Sequence, residues 1–200
     1  MKIIITGASG AIGKEVSALL GQRHEIIGAS LRNSPHQLDI SSVSSIEKFL
    51  EATGPFDALV SAAGDAYWGP LQGLTEAQLR FGIENKLLGQ LNLVRLGLKY
   101  IRPGGSFTLT SGVLADDPVA GSVNYAVANA GIHGFVTAAA QELLVVGVRI
   151  NAVSPGVTDN TMERNGPNMI GHTPVAIARV VNAYVKSVEG IINGQIIRVY

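Results

Sequence analysis

Short, continuous apolar runs alternate with longer stretches of helical periodicity along the whole chain. Residues 2–5, 24–29, 56–61, 106–110, 149–153 and 195–199 read as strands. They lack apolar/polar alternation, so burial on both faces is expected. Between them, 11–22, 43–52, 75–100, 123–146 and 173–187 read as helices. Ile12, Val16, Leu19 and Leu20 share one face of the first. Ser41 or Ser42 is placed to cap the second, and Thr75 with Gln78 has the spacing of a capping box. Thr173-Pro174 opens the last helix, and Pro103-Gly104-Gly105 reads as a turn. Strands alternating with helices imply βαβ units: an α/β fold with a doubly wound parallel sheet and helices on both faces, three layers in all. With no repeat, linker or compositional break, a single domain over 1–200 is expected.

Two helices depart from the usual amphipathic pattern. The stretch 75–100 carries Leu87, Leu88, Leu91, Leu93, Val94, Leu96 and Leu98, wider than one stripe. From Pro118 to Val146 the only charged residue is Glu142. The chain as a whole is 46% hydrophobic and only 15% charged, so some surface is expected to be buried against another copy. Helices 75–100 and 123–146 are the expected contact, in a homodimer or homotetramer.

Charge and composition then exclude several functions. A net charge of zero argues against a general nucleic-acid or membrane-surface binder. Without cysteine there is no disulfide, thiolate metal site or cysteine nucleophile. His24, His36, His133 and His172 show no ligand spacing, so no metal is expected. Neither a signal peptide nor a membrane span stands out, and a cytoplasmic location is expected. Asp116-Asp117 reads as a solvated loop.

The candidate chemistry begins where the first strand runs into Thr6-Gly7-Ala8-Ser9-Gly10-Ala11-Ile12-Gly13 and a helix. One glycine permits the tight turn, one lets backbone approach a pyrophosphate, and one lets the helix pack on the strand. The helix N-terminus then offers N–H groups and a positive dipole end to the anion.

This segment matches in full the TGxxxGxG motif of the short-chain dehydrogenases/reductases, and the chain resembles that family over almost its whole length. Asp39-Ile40 resembles the family's adenine-contacting pair. Ser61-Ala62-Ala63-Gly64 resembles its NAAG segment, with serine first. Ser154-Pro155-Gly156 with Thr158 resembles its nicotinamide-side motif. The resemblance implies a Rossmann-like fold and a nicotinamide cofactor. The implied cofactor contacts are Gly7, Ser9, Gly10, Ile12, Gly13, Arg32, Asp39, Ile40, Ala62, Ala63, Gly64, Pro155, Gly156 and Thr158. After the second strand the chain reads Ala29-Ser30-Leu31-Arg32-Asn33, with no acid for a ribose 2′-hydroxyl and one arginine suited to a 2′-phosphate. NADP(H) is therefore favoured over NAD(H).

The family's chemistry uses a tyrosine, a lysine four residues later, a serine and an asparagine. Tyr125 matches the tyrosine and Asn85 the asparagine, but Asn129 stands where lysine belongs. Positions i and i+4 share a helix face, so Asn129 is expected to point where the lysine would. It brings no charge to favour a tyrosinate. Lys86, adjacent to Asn85, offers a surrogate charge, but adjacent helical positions point about 100° apart, so this is the less favoured reading. A gapless alignment puts Gly112 at the serine position; a shift of one residue would restore Ser111. Ser111 is the named candidate, against a strand-end hydroxyl bonded to its own backbone.

Two readings follow. One is an NADP(H)-dependent oxidoreductase that reduces a small carbonyl, with Tyr125 as proton donor and Ser111, Asn85 and Asn129 around it. The other is an inactive NADP(H)-binding sensor or scaffold of the same fold. The chain is short for the family, and the substrate loop at about 156–173 reads as shortened and open. Tyr67-Trp68 with Val113, Leu114, Val157 and Met162 reads either as the wall of a small apolar pocket or as aromatic packing over a helix start. Substrate identity and reaction direction are not legible in the residues.

Overall fold

The computed structural model describes residues 1–200. Its strands are β1 (Lys2–Thr6), β2 (Glu25–Ser30), β3 (His36–Gln37), β4 (Phe56–Ser61), β5 (Ile101–Thr110), β6 (Arg149–Pro155) and β7 (Ile196–Val199). They form one sheet in the order β3-β2-β1-β4-β5-β6-β7, every pairing parallel. The helices are α1 (Ala11–Leu20), α2 (Val43–Thr53), α3 (Glu76–Gly82), α4 (Gly89–Gly97), α5 (Val123–Val145), α6 (Met162–Asn165) and α7 (Ile177–Glu189). They cover both faces, as the alternation of strand and helix requires.

Each face has its own core. Ile4, Leu59, Phe107 and Ile150 pack with residues of α2, α4 and α5. Ile3, Ile5, Val60 and Val153 point the other way, toward α1 and α7. Successive strand side chains alternate faces, so an unbroken isoleucine run in β1 feeds both cores. No helix is long and apolar enough to cross a membrane.

The sequence-based boundaries hold to within a few residues, with instructive exceptions. Ser42 caps α2 by accepting from Ser45 N–H, and Thr75 and Gln78 form the expected capping box. Pro103-Gly104-Gly105 does not end an element. It sits within β5 where the register with β4 shifts between Phe56 and Ala58, and an irregularity of this kind tolerates proline. The last helix starts at Ile177 rather than Thr173. Val175 pairs with Thr158 instead, and Asp159 Oδ1 accepts from Ile177 N–H at 3.0 Å. The stretch 75–100 is not one uniform helix. A π-helical turn, Ile83–Leu88, separates α3 from α4.

Candidate active site

The turn after β1 is built by close backbone approach. Gly7 has φ +76°, and a Cβ there would lie 2.6 Å from Ala62 O. A Cβ on Gly13 would lie 2.1 Å from Gly7 O, so the first turn of α1 can close on β1 only with glycine at 13. Gly10 N–H donates to Gly7 O at 2.9 Å. The N-terminus of α1 thus meets the ends of β1 and β4, where the chain order reverses. Such a switch point is where open α/β sheets bind ligands.

A cleft of about 600 Å³ opens there, walled by Gly7, Ser30, Asp39, Ile40, Ala63 and Gly64 among others, with Asn85 and Tyr125 at its far side. Ser30 Oγ accepts from Ser9 N–H at 3.0 Å. Asp39 Oδ1 accepts from Ser41 N–H at 2.9 Å, which orients its carboxylate on the rim. Arg32 is exposed beyond the cleft wall, and its carbonyl accepts from Ser9 Oγ at 3.3 Å.

A second cavity of about 320 Å³ adjoins the first through Ala63, Gly64, Asp65, Tyr125, Arg164 and Asn165. Ile12, Ala62, Pro155 and Gly156 line it on the cofactor-motif side. Thr158 lies outside both spaces. It is buried, and its hydroxyl is engaged with Asn160 Oδ1 at 2.7 Å and Thr161 Oγ1 at 2.8 Å, fixing the first turn of the loop.

Tyr125, near the start of α5, forms part of both walls. Its hydroxyl donates to Asp65 Oδ1. Burial, and then this contact with a carboxylate, hold the phenol well above its usual range. The Trp68 ring lies 5.7 Å from the Tyr125 ring and helps wall the second cavity with Val113, Leu114 and Val157. One turn further along α5, Asn129 faces the same cavity. Its Nδ2 lies where a side chain at Gly112 would go, and its Oδ1 is buried without a hydrogen-bond partner.

Ser111 is on the wall, but its hydroxyl turns to α5, bonding His133 Nε2 at 2.7 Å and Asn129 O at 3.2 Å. Burial lowers the His133 pKa, against the pull of Asp116.

A family profile described as short chain dehydrogenase matches residues 1–170. The chain belongs to the short-chain dehydrogenase family. It is 31% identical to the 3-oxoacyl-acyl-carrier-protein reductase of Vibrio cholerae over 183 residues, covering 80% of this chain and 75% of that protein. It is similar to the solved protein lin1944 of Listeria innocua, with TM-score 0.97, 40% identity and complete coverage of both chains. A small-chain dehydrogenase solved in complex with NADPH superposes with TM-score 0.87 at 28% identity, covering 100% of this chain and 96% of that one. Members of the family use a nicotinamide cofactor.

Against that family pattern, the structure corrects two expectations and extends a third. Lys86 is not turned away: it is buried and lines the second cavity with Tyr125, Ser111 and Asn129. The divergence of Asn85 and Lys86 is real, since Asn85 faces the first space and Lys86 the second. The two spaces adjoin, so both residues reach the site. Asp116 is exposed in a loop, as expected, but it also has partners. It accepts from Arg198 Nη2 at 3.0 Å and Tyr200 Oη at 2.7 Å, and Arg198 chiefly holds its carboxyl low. Tyr67 and Met162 do not line the cavity; Trp68 and Met169 do.

Reasoning from sequence missed Asp65, Arg164 and His133. Asp65 directly follows the Ala62-Ala63-Gly64 segment, which was a usable signal. Arg164 and His133 carried none.

Proposed function

We propose that this short-chain dehydrogenase is an NADP(H)-dependent reductase of a small carbonyl compound. The observation that carries the reading is the position of Tyr125, shared between the glycine-walled cleft and the second cavity. The turn suits a pyrophosphate because glycine at 7 and 13, where a Cβ would strike the Ala62 and Gly7 carbonyls, lets the N-terminus of α1 close on the end of β1 beside the cleft. Arg32 suits a 2′-phosphate, and the similar NADPH-bound structure supports the same choice.

When bound, the reduced cofactor supplies the hydride. This chain's residues then do the rest. Trp68, Val113, Leu114 and Val157 give the second cavity an apolar wall against which a small substrate packs. The substrate's carbonyl oxygen displaces Asp65 as acceptor for the Tyr125 hydroxyl. Tyr125 gives up its proton to that oxygen as the alcohol forms. The phenol is held protonated and so carries the proton the step needs. Burial and the Asp65 carboxylate also make it a weak acid, so a positive charge beside it helps the transfer. The cavity of about 320 Å³ suits a small substrate. One fold serves cofactor and substrate, with the loop 156–173 contributing Arg164 and Met169. The apolar groove between α4 and α5 is the proposed face for a second copy.

The test is loss of NADPH absorbance against a panel of small aldehydes and ketones. Tyr125→Phe is expected to lose on the order of 100-fold or more in kcat while binding NADPH as before. Turnover that survives Tyr125→Phe removes the assignment. A second reading, a nucleotide-binding protein without turnover, draws on Asn129 and Gly112 standing where the family has lysine and serine. NADPH binding with no carbonyl reduced across the panel favours it.

A further inference from the structure

We propose that Lys86, delivered by the π-helical turn, supplies the positive charge that the family places at position 129, and that it acts on Tyr125 as a positioning residue. The proposal rests on the reading of Tyr125 as proton donor. It starts from a residue that folding alone does not explain. Lys86 is 7% exposed, and its one hydrogen bond is a long one, Nζ to Ser111 O at 3.5 Å. A buried ammonium with so little pairing is costly.

The surroundings are nevertheless built to keep it there. The π-helical turn widens the helix at this point, a distortion found frequently at functional sites. Gly64 has no side chain, and a Cβ there would lie 3.0 Å from Lys86 Cα. Gln90, one turn on, is fully buried and fastens the helix to the end of β5. Its Nε2 donates to Thr110 O at 2.9 Å and its Oε1 accepts from Thr110 N–H at 2.8 Å.

The ammonium therefore sits in the cavity that holds Tyr125, Asn129 and Ser111. The other charged groups on that wall are Asp65 and Arg164, with His133 behind Ser111. Asp65 favours the charged form of Lys86, although burial draws its pKa down to about 8. Lys86 is thus still mostly protonated at neutral pH. In the reduction step the Tyr125 O–H bond breaks, its proton goes to the carbonyl oxygen, and a phenolate remains. A nearby ammonium stabilises that phenolate; the amide of Asn129 has no charge with which to do so.

The test places trifluorotyrosine at 125, a nearly isosteric and far more acidic phenol, which brings the raised ionisation at this site down toward the range in which Lys86 is charged. Fluorine NMR follows the phenol titration in the protein without cofactor. Lys86→Met is expected to raise the midpoint by about one pH unit. Lys86→Arg, or Asn129→Lys added to Lys86→Met, is expected to bring it back. Those rescues separate a missing charge from disturbed folding. A midpoint that Lys86→Met leaves in place overturns the proposal.

NADPH binding and carbonyl reduction are measured on the same substitutions with natural tyrosine at 125. Lys86→Met is expected to lower kcat with little change in KM. A wild-type protein that turns over while the midpoint ignores Lys86 keeps the proposed function and ends this one. A midpoint that responds in a protein without turnover does the reverse.

Discussion

Asn129 Nδ2 lies 2.9 Å from the point where a side chain at position 112 would begin. The two departures from the family pattern are therefore in contact: the amide occupies the space a serine at 112 would need. They form a pair: with Asn129 in place, a serine at 112 brings a clash. Gly112→Ser is expected to destabilise the protein by about 1–3 kcal/mol. In Asn129→Ala the same substitution should cost much less. A double-mutant cycle by denaturant unfolding checks this, and additive effects would separate the two positions.

Lys86 makes stability depend on pH in a defined window. Its ordinary value is 10.5, and burial brings it to about 8 in the folded chain. Between those values the unfolded chain holds the proton and the folded chain does not, so wild-type stability rises with pH there. Below about 8 both states are protonated and the cost of the buried charge is constant. Lys86→Met removes that cost. Its stability advantage is expected to be full below pH 8 and to shrink by about 3 kcal/mol as pH approaches 10.5. Unfolding midpoints of both proteins across that range give the comparison; parallel curves would contradict it.

Arg32 is exposed two residues beyond β2, outside the cleft wall, with its carbonyl beside Ser9. Arg32→Ala is expected to weaken NADPH about tenfold, roughly 1.4 kcal/mol, and to leave NADH unchanged. Fluorescence titration of both cofactors measures the ratio. An unchanged ratio would assign the 2′-phosphate to other groups.

The groove between α4 and α5 leaves Leu88 and Leu98 more than two-fifths exposed beside Leu91 and Phe135. α5 is apolar around its circumference, so covering one face by the sheet leaves another apolar face outward. The wild type is expected to sediment as a dimer or tetramer, and Leu98→Glu as a smaller species. A monomeric wild type at micromolar concentration would refute the interface.

Much of this protein was legible in its residues, and the reason is local. Continuous apolar strands and capped helices announce themselves within a few positions, and the glycine turn 6–13 is a contiguous motif. The layered α/β sheet, the tight glycine turn at the start of α1 and Tyr125 on its helix follow from such short-range patterns. Tertiary structure decided the rest. Asp116 meets partners more than 80 residues away at Arg198 and Tyr200, and no local pattern marks such a pairing. Whether Ser111 faces the cavity depended on His133 across α5. The direction of Lys86 depended on a π-helical turn and on two cavities merging behind Gly64. Periodicity tells which way a side chain leaves its own helix. What it meets there is set by packing between elements far apart in the chain.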